Sequence, residues 1–325
     1  MATTDRIPVL VFDDGTSAGA DALDRALAVA SRLVLVNAHQ TPNHTRNIAA
    51  ADGAGVPVEV VNLPKHQGIR HALALCAEQD IYLAHVPHPG GHPGEMLRKI
   101  VQAAAAGEAS GLPVLAVRIV CPDTSGTGPV LEIDPAASDA GFASLFAAGL
   151  AATTGRPLHI LRLAGDRSDA DLRAADALQH ARRVIADNDI PTYDHSTHDD
   201  PVATALEYAD SSSAVVLGLG GITITGRKPT APDELPDSVL ESTDGHLAHQ
   251  LAQHAASDLV VVLDTIELHH GHVAGAASVA AAVTAVAAGA LSAGLAGLAI
   301  TGGVVAASAV GYAALADEPD ESPEH

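Results

Sequence analysis

The side chains with the clearest capacity for chemistry in this chain are its 18 histidines, many of which are clustered. Imidazoles three or four residues apart on one helix face can share a metal ion. However, the first cluster lies in a segment rich in proline and glycine, and no cysteine or carboxylate stands at matching spacing. We expect solvated or pH-responsive histidines, with a metal site as the weaker alternative. The clusters are His85-x2-His88-x3-His92, His246-x2-His249-x4-His254 and His269-His270-x-His272.

Catalytic motifs are the second kind of chemistry to consider. The patterns H-E-x-x-H and G-x4-G-K-[ST] do not occur in the sequence. Scattered Asp and Glu residues are typical of surface charge, so we predict no catalytic residue and no enzyme. Cys76 and Cys121 are far apart, without C-x-x-C spacing, and indicate neither a disulfide framework nor a zinc ribbon. Cys76 lies in an apolar helical pattern and is expected to be a buried thiol.

Charge excludes two classes of partner. The chain has 39 acidic and 17 basic residues, a formal net charge of −22. Such a surface repels nucleic acid and anionic lipid headgroups, so neither is an expected electrostatic partner.

Aromatic residues make up only 2 % of the chain, which leaves Ala, Val, Leu and Gly to build the core. The N-terminus leads directly into a strand pattern without a signal-peptide pattern, which predicts cytosolic domains.

Short apolar strands alternate with amphipathic helices, and the same order occurs twice along the chain. This pattern predicts an α/β fold with parallel sheets covered on both faces. We divide the chain into a first domain, 1–120, a linker, 121–128, and a second domain, 129–265. The predicted strands are Pro8–Phe12, Leu33–Asn37, Val58–Asn62, Ile81–Ala84 and Leu112–Val117, then Val130–Ile133, Leu158–Leu161, Thr192–Tyr193, Ala214–Gly218 and Asp258–Leu263.

Three stretches of the second half resemble the universal stress protein family. The strand Val130–Ile133 followed by Asp134 resembles the family's opening strand, which ends in Asp-Gly-Ser. Asp199–Ala209 resembles its helix G-D-P-x3-I-x3-A, and Asp200 followed by Pro201 is a good helix start. Gly218-Leu-Gly-Gly221 falls where the family has the first glycines of G-x2-G-x9-G-[ST]. The likeness predicts two tandem, degenerate, Rossmann-like domains.

The resemblance also implies a nucleotide site, at Asp134, Gly218, Gly221 and Gly245. In ATP-binding members the Asp meets adenosine and the glycine-rich loop holds the phosphates on backbone N–H groups at a helix N-terminus. This sequence departs from the family pattern, because an insertion, 222–244, precedes Gly245. Turns between strand and helix are therefore the favoured role of these glycines, and we expect no cofactor. ATP or AMP remains the alternative.

The first-half loop, from Pro89 to Gly94, departs further from the family pattern. It is contracted and is followed by Glu95. A carboxylate at this position would repel phosphate groups. We therefore predict that the first half does not bind ATP.

The segment 273–316 contains 44 residues without a charge, about twice the roughly 20 residues that a transmembrane helix needs. It predicts a helical membrane hairpin followed by an acidic tail, 317–325, in the cytosol. A soluble hairpin used for oligomerisation is the alternative. Two rows of small residues would let helices approach closely. They are Gly289, Ala293 and Gly297, and Gly303, Ala307 and Gly311.

Together these patterns predict a non-enzymatic stress-response or regulatory module at the cell membrane, with its α/β domains facing the cytoplasm. A homo-oligomer or a membrane-protein partner is expected. The family likeness further implies that the two repeats pair within one chain through their last strands. The alternative function is an ATP- or AMP-binding universal stress protein that acts as a nucleotide-dependent regulator.

Overall fold

A computed structural model of the chain gives the fold. The described residues are 6–37, 43–63, 68–88, 93–105, 107–109, 111–112, 114–121, 127–134, 140–163, 172–197, 200–219 and 243–265. The predicted membrane hairpin with its six helix-packing residues, the acidic tail, Gly221 and nearly all of the insertion lie outside these ranges.

In the part of the first half that the structure describes, five strands alternate with four helices. The helix over 43–53 was not predicted from the sequence, since this segment has few apolar residues. The elements are β1 (Ile7–Asp13), α1 (Ser17–Leu27), β2 (Ala30–Asn37), α2 (Asn43–Gly53), β3 (Val58–Asn62), α3 (Gly68–Glu78), β4 (Leu83–Pro87), α4 (Pro93–Ala105) and β5 (Val114–Val120).

The described part of the second half contains the same kinds of element in the same order. Its last helix begins at Thr243, so the final two residues of the predicted insertion are helical. The elements are β6 (Val130–Asp134), α5 (Ala140–Thr154), β7 (Leu158–Leu163), α6 (Leu172–Asp187), β8 (Thr192–Thr197), α7 (Pro201–Asp210), β9 (Ala214–Leu219), α8 (Thr243–His254) and β10 (Asp258–Asp264).

The ten described strands form one sheet, in the order β3-β2-β1-β4-β5-β10-β9-β6-β7-β8. Neighbouring strands are parallel except at the centre, where β5 and β10 run antiparallel with Val117 opposite Val261. Outward from this pair, the last, fourth, first, second and third strands of each half follow in the same order. The halves therefore share one continuous sheet and do not form two separate ones.

Small and branched aliphatic side chains build the core, as the composition predicts. Every residue of β5 is buried, and so is every residue of β9. Burial of both faces of a strand is typical of a parallel sheet covered by helices. Helix α1 packs on β1 and β4, α5 packs on β6 and β9, and α4 contacts α8 across the junction of the halves.

No helix within the described ranges combines the length and the hydropathy needed to cross a bilayer.

Candidate functional site

Ligands of open α/β sheets bind beyond the carboxyl ends of the strands, where successive connections leave in opposite directions. This topology creates two such places, which we call switch points: the first lies between β1 and β4, and the second lies between β6 and β9. The residues that end β1 and β6 are Asp13 and Asp134. These two carboxylates therefore mark the candidate sites of the first and second halves.

Asp13 is fully buried, and both of its carboxylate oxygens accept hydrogen bonds. Oδ1 accepts from the backbone N–H of Gly15 at 2.8 Å, and Oδ2 accepts from Nδ2 of Asn47 at 2.8 Å. Asn47 lies on α2, the helix that the sequence analysis did not predict, and it is also buried. The carboxylate thus fixes α2 over the end of β1.

The amide side chains of Asn37 and Asn62 lie beside Asp13 at the ends of the next two strands. Together, Asp13, Asn37 and Asn62 form a polar row across the first half of the sheet. Asn37 ends β2 directly opposite Asp13, and Asn62 ends β3 directly opposite Asn37. Nδ2 of Asn37 donates to Oδ1 of Asn62 at 3.3 Å. The signal that could have revealed this row is an Asp or Asn at the end of each of three successive apolar strands.

The turn after β1 contains a second pattern that sequence reasoning missed. Gly15-Thr16-Ser17-Ala18-Gly19 has the G-x-S-x-G spacing of a nucleophile elbow, in which the serine occupies a strained turn between strand and helix. Among the described non-glycine residues, positive φ angles occur only at Asp80 and Asp189. Ser17 is the first residue of α1, with ordinary backbone, and the segment begins a helix.

Thr16 is the N-cap of α1, because its Oγ1 accepts from the backbone N–H of Gly19 at 3.2 Å. The threonine hydroxyl also donates to Oδ1 of Asp14 at 2.6 Å. Added to Gly19, a Cβ would lie 3.0 Å from a carboxylate oxygen of both Asp13 and Asp14. The glycine therefore allows the helix to begin directly against the carboxylates.

The second candidate site brings together two of the four residues predicted for the nucleotide. Leu217 of β9 lies opposite Ile133 of β6, so Asp134 and Gly218 follow on adjacent strands. Gly218 lies inside β9, opposite Val262, and not in the turn after it. Gly245 is in the first turn of α8, while Gly221 lies outside the described residues.

Helices α4 and α8 meet at the turn where the first half departs from the family pattern. A Cβ added to Gly94 would overlap the imidazole ring of His249, which belongs to α8. Glu95 lies in the first turn of α4, where the positive end of the helix dipole stabilises a carboxylate, and its Oε1 lies 2.7 Å from Nζ of Lys99. This helix start is thus covered by groups of the chain itself.

The structure corrects the placement of the first histidine cluster. His85 is not in a loop: it lies in β4, is fully buried, and its Nδ1 is 3.2 Å from the carbonyl oxygen of Ala22. Burial lowers its pKa to about 3, and the positive charge of Arg118 contributes to this shift. The ring is therefore neutral at physiological pH. Within the described ranges no three His, Cys, Asp or Glu residues are placed to hold a metal ion.

Cys76 is buried as expected, while Cys121 is half-buried, and neither forms a disulfide. Burial raises the pKa of the Cys76 thiol far above its usual value. Burial, followed by the nearby Asp258 carboxylate, raises the pKa of the Cys121 thiol to about 12. Since the thiolate is the reactive form, both side chains are inert at neutral pH.

A buried carboxyl group in the middle of β6 also escaped the sequence analysis. Glu132 is 2 % exposed, and the hydroxyl of Ser144 on α5 donates to its Oε1. Burial raises its pKa to about 7, and the Ser144 hydrogen bond only partly opposes this shift. Glu132 is therefore half-protonated near neutral pH.

A buried ion pair joins the two halves beside the central strand pair. Arg118 of β5 and Asp258 of β10 are 6 % and 0 % exposed, and Nη2 of Arg118 lies 2.6 Å from Oδ2 of Asp258. Arg25 of α1 approaches the same oxygen at 3.4 Å. The backbone N–H of Cys121 donates to the other oxygen at 3.1 Å. Groups from the first half and from the start of the linker thus surround one carboxylate of the second half.

The sequence matches no protein-family model and no functionally curated protein. Solved structures are similar in fold. A functionally unknown protein from Pseudomonas aeruginosa PAO1 is 13 % identical with a TM-score of 0.52, covering 83 % of this chain and 97 % of the other. A protein described as a universal stress protein, from Pseudomonas aeruginosa UCBPP-PA14, is 14 % identical with a TM-score of 0.52, covering 83 % and 98 %.

A universal stress protein from Archaeoglobus fulgidus DSM 4304 is 14 % identical with a TM-score of 0.48, covering 78 % of this chain and 95 % of the other. At such identities the likeness concerns the fold alone. The chain has a universal-stress-protein-like, Rossmann-type α/β fold with a mostly parallel sheet.

Proposed function

We propose that this chain is a non-enzymatic stress-response or regulatory module, built from two degenerate universal-stress-protein-like units and held at the cell membrane by segment 273–316. The fold likeness supports the regulatory class. Two units are supported because, within the described ranges, each half has five strands and four helices in the same chain order and the same sheet order. The pairing of β5 with β10 joins them as an internal pseudo-dimer.

The non-enzymatic, nucleotide-free part of this proposal rests on one observation. At the first switch point, between β1 and β4, the polar side chains are hydrogen-bonded to other groups of the chain. Both oxygens of Asp13 accept hydrogen bonds from the chain, and Asn37 and Asn62 bond to one another. A buried acceptor that is already paired gains little from a ligand, because binding first breaks the internal hydrogen bond. We therefore assign the polar row of Asp13, Asn37 and Asn62 a structural role.

The start of α4 supports the same conclusion. In a nucleotide-binding unit this helix N-terminus faces phosphate, and the backbone must be free to approach it. Here His249 packs against Gly94, and the carboxylate of Glu95 occupies the first helical turn. A phosphate at this place would meet a negative charge. The first unit acts through its surfaces, by contact with a membrane-protein partner or with further copies of the chain.

The alternative function, nucleotide-dependent regulation through the second unit, is favoured by a different observation. Asp134 and Gly218 follow on the adjacent strands β6 and β9, at the second switch point. A nucleotide held there would use backbone N–H groups near Gly218, Gly221 and Gly245. This alternative places ATP or AMP in the second half only.

Calorimetric titration of the full chain with ATP and with AMP separates the two functions. Our proposal predicts no binding at micromolar concentration. Micromolar binding that is lost in Asp134→Asn and in Gly218→Val, but kept in the first-half control Asp14→Asn, would establish the nucleotide-dependent regulator. Circular dichroism checks that each variant is folded.

Carbonate extraction of membranes from expressing cells tests the tether. We expect the full chain to remain in the membrane pellet. A charged residue at the centre of a spanning helix costs about 2.5–3.5 kcal/mol on insertion scales, so Val283→Arg should shift the chain toward the supernatant. Val283→Leu is the matched control and should stay in the pellet. Complete recovery of the wild-type chain in the supernatant would contradict the tether.

A further inference from the structure

Two histidines and two tyrosines form a cluster on the outer strands of the second half, away from both switch points. His159 lies on β7, His195 and Tyr193 on β8, and Tyr208 on α7. Tyr193 is directly opposite His159 in the strand register, and His195 lies two residues further along β8. Period-2 alternation puts all three strand residues on one face of the sheet, the face that α7 covers.

Ring nitrogens of the two histidines point at each other in this cluster. Nδ1 of His159 lies 3.3 Å from Nε2 of His195, and the ring centroids are 5.0 Å apart. Two imidazole nitrogens that bind one ion at 2.0–2.1 Å with a tetrahedral angle lie about 3.4 Å apart. The side chains thus already have the separation at which a metal ion bridges them.

Tyr208 provides the supporting contact that such a site requires. Its hydroxyl oxygen lies 3.2 Å from Nδ1 of His195, the nitrogen remote from His159. A ligating histidine usually donates its other N–H to an oxygen, which fixes the tautomer and the ring orientation. With Nδ1–H donating to the Tyr208 oxygen, Nε2 of His195 presents its lone pair toward His159.

We propose that Nδ1 of His159 and Nε2 of His195 bind one divalent first-row transition-metal ion, with water in the remaining positions. Two protein ligands are consistent with the finding that no three such groups converge within the described residues. Both histidines are half-buried, so solvent reaches the open positions. Imidazole suits Zn²⁺, Ni²⁺ and Cu²⁺, with Cu²⁺ bound most tightly. The net charge of −22 raises the local concentration of cations.

A plain hydrogen bond between the two rings is the competing interpretation of the 3.3 Å contact. In that case one of the facing nitrogens carries a proton and no ion is bound. The two interpretations differ in the chemical state of identified nitrogens, and spectroscopy of the wild-type chain distinguishes them without a mutation.

Addition of Zn²⁺ to the full chain, followed by long-range ¹H–¹⁵N spectra of the histidine rings, tests the proposal. We expect Nδ1 of His159 and Nε2 of His195 to shift to metal-bound values. Calorimetry should show a micromolar site that is lost in His159→Gln and in His195→Gln. The controls His246→Gln and His254→Gln, at exposed positions of α8, should retain it.

Tyr208→Phe keeps both ligands and removes the oxygen that orients His195. We expect it to weaken Zn²⁺ binding by about tenfold, the lower end of the range for such supporting contacts. Thermal unfolding of the metal-free variants checks their folding. Unchanged ring-nitrogen shifts in the wild-type chain with Zn²⁺, or equal Zn²⁺ binding by His159→Gln, His195→Gln and wild type, would overturn the proposal.

Discussion

Glu132 shows how burial changes the behaviour of a single residue. In the sequence its alternation with Leu131 and Ile133 is typical of a half-buried strand with one solvated face. Instead, α5 covers that face, and the hydroxyl of Ser144 on this helix donates a hydrogen bond to the carboxyl group. Because burial raises its pKa to about 7, the folded chain takes up a proton that the unfolded chain releases near pH 4.5.

The first prediction follows from the sign of this shift. The folded state binds more protons than the unfolded state between pH 4.5 and 7, so Glu132 makes the chain less stable as the pH rises through this window. Glu132→Gln should remove that dependence and stabilise the chain at pH 8, by up to about 3 kcal/mol relative to its effect at pH 4. Urea unfolding at several pH values measures the difference.

Glu207 on α7 provides the control for this experiment, since its side chain is exposed. Glu207→Gln should leave the pH dependence of the unfolding free energy as in the wild type. Equal pH profiles for Glu132→Gln and the wild type would show that the buried carboxyl group does not titrate in this range.

At the scale of the elements, the start of α7 was predicted correctly from the sequence. Asp200 is the N-cap of α7, with its Oδ1 accepting from the backbone N–H groups of Val202 and Ala203 at 3.1 Å, and Pro201 is the first helical residue. The predicted start is therefore confirmed. A cap depends on three or four neighbouring residues, and this local information is present in the sequence.

Close approaches between elements give the second prediction. Gly128 precedes β6, and a Cβ at this position would overlap the backbone carbonyl of Ser211, which follows α7. A backbone atom cannot rotate away, so Gly128→Ala should lower the free energy of unfolding by about 1–3 kcal/mol, the usual cost of overpacking. Thermal and urea unfolding of the variant measure the loss.

Gly53 is the matched control, because a Cβ there meets nothing within 4 Å and the residue ends α2. Gly53→Ala should be neutral or stabilising by up to about 1 kcal/mol, since Ala loses less backbone entropy in a helix. A neutral Gly128→Ala would show that the turn before β6 can move away from Ser211.

At the scale of the whole molecule, one carboxylate links the two halves. Asp258 meets Arg118 and Arg25 of the first half and the backbone of Cys121, the first residue of the linker. Removal of one partner from a buried ion pair leaves an uncompensated charge, which costs about 3–5 kcal/mol. The third prediction is that Asp258→Asn lowers the free energy of unfolding of the full chain by about this amount in urea.

The exposed pair of Arg162 and Asp194, 3.1 Å apart, is the control for this prediction. Asp194→Asn should cost less than about 1 kcal/mol, because solvent screens exposed ion pairs. The double variant Arg118→Met with Asp258→Leu should recover most of the loss, since apolar residues replace a buried pair well. A small effect of Asp258→Asn would mean that the junction of the halves does not depend on this carboxylate.

The sequence by itself determined the local pattern of the fold. Alternating strands and helices, their order in both halves, an aliphatic core and the cap of α7 follow from short-range periodicity and from residue preferences near helix ends. It also placed Asp134 at the end of one strand and Gly218 in another. These features require knowledge of only a few neighbouring residues.

Tertiary structure alone decided which distant groups meet. Asn47 lies 34 residues from Asp13, His195 lies 36 residues from His159, and Asp258 lies 140 residues from Arg118. Such pairs leave no periodic signal, because hydrophobic patterning assigns a residue to a face but does not select the strand beside it. The sheet order, with β5 against β10, brings together the residues of the junction ion pair, and the β6-β7-β8 order those of the proposed metal site.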